Sequence, residues 1–163
     1  MRIGIFDSGV GGITVLKRAL EFLPDESFLY YADTQNVPYG TKSKDEVKAY
    51  VFDAVDFILK QGIKALVIAC NTATSVAIND LRKEYKIPIL GMEPAVKPAV
   101  EKNKGKRVLV AATPITLAEE KYHNLVDELH CGNIVDGLPL PELVNYAENF
   151  EFDENVIMSY LKE

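Results

Sequence analysis

The chain has 163 residues, 48% of them apolar, and a net charge of −6 from 18 basic and 24 acidic side chains. That size suffices for one core or two small lobes, and no run reaches the roughly 18 apolar residues of a membrane span, so we expect a cytoplasmic protein without a membrane segment. Residues 119–163 hold 11 acidic and 2 basic side chains, and this acidic tail argues against nucleic acid as a partner.

Apolar runs separated by turn residues predict strands that alternate with helices along the whole chain. The predicted strands cover residues 2–6, 28–32, 65–69, 87–90 and 107–111, with a sixth at 132–135. This alternation is typical of a mainly parallel α/β sheet flanked by helices. Gly91-Met-Glu-Pro94 indicates a crossover into a new unit, so we expect one α/β lobe over residues 1–94 and a second over residues 95–163.

Local signals place the first two helices. The apolar spacing that begins at Ile13 predicts a helix that Pro24 closes. Ser43 and Glu46 have the spacing of a capping box, and they begin a long amphipathic helix that ends at Gly62.

The later helices are marked in the same way. Asn71 or Thr72 is expected to cap the helix that follows the third strand. A helix is predicted over residues 117–130 after a turn, and two more are predicted over residues 139–163, the second capped by Asp153.

Polar and small residues follow several of the predicted strands. Parallel α/β sheets bind ligands outside the carboxyl ends of their strands, so we expect these residues to gather at one edge and form a site. They are Asp7, Ser8, Tyr39, Gly40, Cys70, Asn71, Thr72, Thr113 and Thr116.

The glycine turn, Asp7-Ser-Gly-Val-Gly-Gly12, presents bare backbone N–H groups at a helix start, where a carboxylate or phosphate is favoured. It matches neither the dinucleotide-binding pattern nor the phosphate loop of nucleotide hydrolases, so no nucleotide is implied. A tight strand-to-helix turn capped by Asp7 is the alternative interpretation.

Cys70 ends a buried strand and precedes a helix. A thiol at a helix N-terminus is stabilised as the thiolate, so we expect its pKa to fall below the free value of about 8.5. A buried core cysteine is the alternative, but Asn71 and Thr72 are polar neighbours that a core site has to satisfy.

Two familiar uses of a reactive cysteine do not fit this sequence. A cysteine phosphatase needs an arginine shortly after the thiol, and the residues up to Val76 include none. A cysteine hydrolase needs an orienting histidine, but His123 and His130 belong to the predicted helix at 117–130 and are expected at the surface. A thiolate that acts as a base on a small anion is left.

Other candidates have more than one interpretation. Thr113 and Thr116 can supply two hydroxyl donors to the site, or act as ordinary helix caps. Tyr39 is a surface residue or part of the site wall. Cys131 follows a predicted helix and is interpreted as structural; two cysteines without ligand spacing predict neither a disulfide framework nor a metal site.

Together these residues resemble the glutamate racemase family, within the aspartate/glutamate racemase superfamily. The matching motifs are Asp7-Ser-Gly-Val-Gly-Gly12, Pro38-Tyr-Gly40, Ala69-Cys-Asn-Thr-Ala73, Gly91-Met-Glu-Pro94 and Ala112-Thr-Pro-Ile-Thr116. The resemblance implies an isomerase without a cofactor that interconverts L- and D-glutamate and supplies D-glutamate for peptidoglycan, and thus for the cell wall and cell shape.

The resemblance also implies roles for the site residues. Cys70 is one of two thiols that flank the substrate α-carbon, beside Asp7, which either tunes the thiol or takes the ammonium proton. The residues implied to hold the carboxylates and the amine are Asp7, Ser8, Tyr39, Gly40, Asn71, Thr72, Thr113 and Thr116.

One family motif is missing. The family carries its opposite thiol in a Gly-Cys-Thr-His motif that this sequence lacks, and Cys131 does not stand in a matching context. We therefore expect a C-terminally truncated racemase, from a deliberate truncation or an interrupted gene, that does not racemise glutamate efficiently. The resemblance then implies a flavodoxin-like first lobe and an incomplete second α/β lobe. The alternatives are a racemase for aspartate or another amino acid, and a non-catalytic fragment that self-associates as a homo-oligomer.

Overall fold

The computed structural model describes residues 1–103 and 105–162. The strands are β1 (Arg2–Asp7), β2 (Phe28–Ala32), β3 (Ile63–Ile68), β4 (Ile89–Gly91), β5 (Val108–Ala112) and β6 (Val135–Pro139). The helices are α1 (Ile13–Phe22), α2 (Lys44–Lys60), α3 (Asn71–Glu84), α4 (Val96–Lys102), α5 (Pro114–Ala118), α6 (Glu120–Glu128), α7 (Glu142–Glu148) and α8 (Glu154–Tyr160), with a 3₁₀ turn at Tyr39–Thr41.

The strands form two parallel sheets. The first has the order β2-β1-β3-β4, which is the flavodoxin-like order, and the second pairs β5 with β6. Asp7 lies opposite Ala32, and Phe6 lies opposite Ile68, so the carboxyl ends of the central strands are level. The α/β class is therefore confirmed, and the lobe boundary at residue 94 stays a prediction.

The main core lies between the first sheet and one helical layer. Phe6 and Leu66 project from the sheet onto α2 and α3, where Ile58 and Leu81 are also fully buried. A smaller cluster of buried residues, Val96, Tyr122 and Cys131, packs against the second sheet. In the described parts of the chain, every helix is too short or too polar to cross a bilayer.

Several local predictions are confirmed. Ser43 accepts a hydrogen bond from the Glu46 N–H, and the Glu46 side chain accepts one from the Ser43 N–H, as in a capping box. Gly62 follows α2 with a φ of +76°, a conformation that favours glycine. The Asp153 side chain caps α8.

The second half of the chain differs from the sequence prediction in two places. The helix predicted over 117–130 is divided into α5 and α6, because Thr113 caps an earlier start with Pro114 at the first helical position and Glu119 adopts extended backbone. The sixth strand begins at Val135, the last residue of the predicted range, since residues 132–134 form a turn after α6.

Candidate active site

A cavity of about 380 Å³ opens at the carboxyl ends of β1, β3 and β5. All of the strand-end residues singled out in the sequence contribute to its lining. They are Asp7, Ser8, Tyr39, Gly40, Cys70, Asn71, Thr72, Thr113 and Thr116. Their placement is observed, and the roles assigned to them stay predictions.

The glycine turn lets α1 begin directly over Asp7. A Cβ atom on Gly12 would lie 2.6 Å from the Cβ atom of Asp7, so only glycine fits there. The Asp7 carboxylate accepts a hydrogen bond from the Gly9 N–H at 3.0 Å and is buried at the cavity wall. The turn thus holds a carboxylate beside the thiol of the neighbouring strand.

The residue that caps α3 is Cys70, and the prediction that Asn71 or Thr72 does so is wrong. The Cys70 Sγ accepts hydrogen bonds from the Ala73 N–H at 3.4 Å and from the Ser8 hydroxyl at 3.3 Å. Asn71 is instead the first residue of the helix and exposed. The Thr72 hydroxyl contacts the hydroxyls of Thr113 and Thr116.

The predicted fall in the pKa of Cys70 is also wrong. Burial, with 8% of the residue exposed, raises the pKa of the thiol, and the negative charge of Asp7 raises it further. The hydrogen bonds from Ser8 and Ala73 favour the thiolate but do not outweigh these two effects. Burial and the charge of Asp7 therefore favour the protonated thiol.

Three threonine hydroxyls form a buried cluster in the cavity wall, which we call the threonine cluster. The Oγ1 atoms of Thr72 and Thr113 are 3.0 Å apart, those of Thr72 and Thr116 3.2 Å, and those of Thr113 and Thr116 2.9 Å. Thr113 is also the N-cap of α5, so cap and cavity wall are the same residue. The cluster joins α3 to the end of β5.

Tyr39 is not the surface residue that one interpretation expected. It is 1% exposed, and its hydroxyl donates a hydrogen bond to the Asp33 carboxylate at 2.6 Å. Burial and the neighbouring carboxylate both raise the pKa of Tyr39. Gly40 packs so closely on Thr113 that a Cβ atom there would lie 2.6 Å from the Thr113 Cγ2 atom.

Glu148 is a cavity residue that the sequence did not reveal. Its carboxylate accepts hydrogen bonds from the Val10 N–H at 3.0 and 3.3 Å, so α7 closes over the glycine turn. No local pattern relates an acidic residue of α7 to a turn 138 residues earlier. The described cavity lining contains no lysine, arginine or histidine.

The remaining candidates lie away from the cavity. His123 and His130 are exposed, as predicted. The Cys131 thiol is buried and donates a hydrogen bond to the Val126 carbonyl at 3.4 Å, in accordance with a structural role.

Comparison with known proteins identifies the family. Residues 10–155 match the family model described as Asp/Glu/Hydantoin racemase. The chain is 66% identical to the glutamate racemase of Halothermothrix orenii over 163 residues, which are all of this chain and 64% of that protein.

Solved structures show the same likeness. The glutamate racemase of Campylobacter jejuni superposes with a TM-score of 0.86 at 34% identity, over 99% of this chain and 66% of that one. The Francisella tularensis glutamate racemase in complex with D-glutamate has a TM-score of 0.84 at 28% identity, over 99% of this chain and 61% of that one. The chain thus spans about two thirds of the length of these relatives. Because the family model covers most of its residues, the chain belongs to the Asp/Glu/Hydantoin racemase family.

Proposed function

We propose that this chain forms the substrate cavity and one acid/base group of a cofactor-independent glutamate racemase. The observation that carries the proposal is the Cys70 thiol in the cavity wall, hydrogen-bonded by Ser8 and placed beside Asp7. The names of the similar proteins support glutamate as the substrate. In this proposal the racemase of which the chain forms part is cytoplasmic and supplies D-glutamate for peptidoglycan.

The lining suits an amino acid with two carboxylates. In the described lining the threonine cluster, Ser8, Asn71 and the Tyr39–Gly40 backbone offer neutral donors to the carboxylates. Asp7 and Glu148 are the acidic residues of that lining, and they suit the substrate ammonium. We propose that Asp7 pairs with this ammonium.

This pairing also affects the protonation of the Cys70 thiol. The charge of Asp7 is one cause of the raised pKa of Cys70, and a bound ammonium group offsets that charge. Offsetting this charge lowers the thiol pKa, so the thiol releases its proton to solvent, and the Ser8 and Ala73 hydrogen bonds stabilise the thiolate that forms. The base is thus activated by the substrate that it attacks.

The chemical step is a proton transfer at the substrate α-carbon. The Cα–H bond breaks, the proton forms a new S–H bond on Cys70, and the electron pair is delocalised into the α-carboxylate. Neutral hydrogen bonds from the threonine cluster stabilise the added negative charge on that carboxylate. Inversion then requires a proton from an acid on the opposite face.

The family resemblance assigns that opposite acid to a second thiol, whose motif this sequence lacks. We therefore propose that the chain alone exchanges the α-proton of one enantiomer, D-glutamate, without efficient inversion. Aspartate or another amino acid is the alternative substrate, and it is tested in parallel.

The experiment is proton NMR of D- and L-glutamate, incubated separately with the chain in heavy water. We expect loss of the α-proton from D-glutamate alone, without inversion, and no loss with the Cys70→Ser variant. Cys131→Ser is the matched control, because it removes the thiol that lies away from the cavity. Full racemisation by the chain alone would contradict the one-base proposal, and no exchange of any substrate would contradict the assignment of Cys70.

Self-association is a second candidate function, favoured by exposed apolar side chains. Leu109 on β5 is largely exposed, and so are Phe150 and Phe152 between α7 and α8. Exposed apolar patches promote association between protein surfaces. Sedimentation equilibrium tests this, and a monomer at every concentration rules it out.

A further inference from the structure

Asp33 is a buried carboxylate next to the cavity that the proposed chemistry does not use. It follows β2 and is 6% exposed. The ion pairs among the described residues do not include it. Its oxygens accept instead from neutral donors, the Tyr39 hydroxyl at 2.6 Å and the Asn36 side-chain amide at 3.0 Å. Because a buried charge is costly without hydrogen bonds, these donors are held firmly in place.

Asp33 is itself anchored to the strand that carries Asp7. The Asp33 N–H donates a hydrogen bond to the Asp7 carbonyl at 3.0 Å and extends the pairing of β1 with β2. The backbone of Asp33 is therefore held beside Asp7, a residue of the cavity wall.

Tyr39 connects Asp33 to the cavity wall. Its ring lies 6.4 Å from the Phe6 ring and 6.2 Å from the Tyr50 ring, centroid to centroid. Aromatic packing in the core therefore fixes the Tyr39 ring, and the hydrogen bond to Asp33 fixes its hydroxyl. Since the next residue, Gly40, is in close contact with Thr113, a displacement of Tyr39 moves Gly40 relative to the threonine cluster.

We propose that Asp33 is a positioning residue: through the Tyr39 hydroxyl it fixes the Tyr39–Gly40 backbone against Thr113 and thereby sets the affinity of the cavity for its ligand. The identity of the ligand, glutamate, rests on the proposed function. The positioning itself rests on the contacts of Asp33 and Tyr39.

The test uses Tyr39→Phe, Asp33→Asn and the double variant in the full chain. Tyr39→Phe removes only the hydroxyl, and with it the hydrogen bond to the Asp33 carboxylate. We expect the loss of this bond to a charged group to weaken D-glutamate binding on the order of tenfold. The loss in the double variant should be smaller than the sum of the two single losses, because both changes act on the same hydrogen bond: Asp33→Asn makes its acceptor neutral, and Tyr39→Phe removes its donor. Affinity is measured by NMR titration with D-glutamate.

The chain offers a matched control in a second tyrosine–carboxylate pair. The Tyr85 hydroxyl donates to Asp56 at 2.6 Å, as Tyr39 does to Asp33, but on an exposed surface. Tyr85→Phe should therefore leave D-glutamate affinity unchanged.

A measurement without ligand separates this proposal from the proposed function. The backbone amide resonances of Gly40 and Thr113 should shift in Tyr39→Phe and Asp33→Asn, and stay in place in Tyr85→Phe. If the unaltered chain binds no glutamate, the proposed substrate is wrong, and these shifts alone decide on positioning. The proposal is overturned if the Gly40 resonances do not shift. It is also overturned if Tyr39→Phe loses stability but keeps its affinity for D-glutamate. If Asp33→Asn does not fold, Tyr39→Phe decides.

Discussion

The Ser8 hydroxyl donates a hydrogen bond to the Cys70 thiol at 3.3 Å, and so joins the residues that follow β1 and β3 across 62 positions of sequence. This contact favours the thiolate, whereas burial and Asp7 favour the thiol. The reactivity of Cys70 is therefore a balance between groups from different parts of the chain.

Removing the Ser8 hydroxyl should make Cys70 less reactive. Ser8→Ala deletes a hydrogen bond that lowers the thiol pKa, so the pKa rises further and less thiolate exists at a given pH. We expect alkylation of Cys70 by iodoacetamide at pH 8 to slow by roughly twofold to tenfold. The rate-against-pH curve should move to higher pH.

Ser43→Ala is the matched control for this serine change. It removes the cap of α2 and should cost about 1 kcal/mol of unfolding free energy. It should leave the alkylation of Cys70 unchanged, and faster alkylation in Ser8→Ala would show that the hydroxyl does not stabilise the thiolate.

The raised pKa of Cys70 should make stability depend on alkaline pH. Below the ordinary thiol pKa of about 8.5 the group is mostly protonated in both the folded and unfolded states. Above it the unfolded chain loses the proton first, so the unfolding free energy falls by up to about 1.4 kcal/mol per pH unit. Urea unfolding between pH 7 and pH 10.5 should show this loss in the unaltered chain, compared with Cys70→Ser. A difference between the two proteins that does not vary with pH would refute the raised pKa.

The threonine cluster should contribute to both stability and binding. Thr116→Val keeps the shape of the side chain but leaves Thr72 and Thr113 without one hydroxyl partner, at a cost of about 1–3 kcal/mol. We expect weaker D-glutamate binding in the same variant. Denaturant unfolding and NMR titration measure the two effects.

Thr74→Val provides the comparison. The Thr74 hydroxyl is also buried, and it accepts from the Met92 N–H at 3.1 Å, but it lies outside the cavity lining. The variant should lose stability and keep its affinity. Equal losses of affinity in Thr74→Val and Thr116→Val would assign the cluster a structural role only.

Gly40→Ala should disturb the wall of the cavity. The new Cβ atom would lie 2.6 Å from the Thr113 Cγ2 atom, so one of the two residues has to move. We expect a loss of about 1–3 kcal/mol of unfolding free energy together with weaker D-glutamate binding. In Gly132→Ala the nearest atom is 3.8 Å away, and both quantities should change little.

Local features were predictable because they depend on neighbours a few residues away. The capping box of Ser43 and Glu46 and the Asp153 cap are both read from a short spacing of residue types. The location of the cavity was predictable for a related reason, since alternating strands and helices bring the carboxyl ends of parallel strands to one edge.

The wrong local predictions have a common cause. The helical pattern over 117–130 looks continuous, but Thr113, Pro114 and Glu119 divide it into two helices. The cap of α3 was assigned to the stronger oxygen acceptors, whereas the backbone is extended at Cys70 and helical from Asn71, which makes the cysteine the cap. In each case the backbone at one residue, and not the average pattern, decided the result.

The sequence by itself thus determined the α/β fold, the order of its elements and the edge at which the polar residues collect, because these follow from periodicity and from turn chemistry. Only the tertiary structure decided the protonation of Cys70, the burial of Tyr39 on Asp33 and the contact of Glu148 with the glycine turn. These properties depend on charge, burial and hydrogen bonds between side chains, and distances between distant segments exist only after the chain has packed.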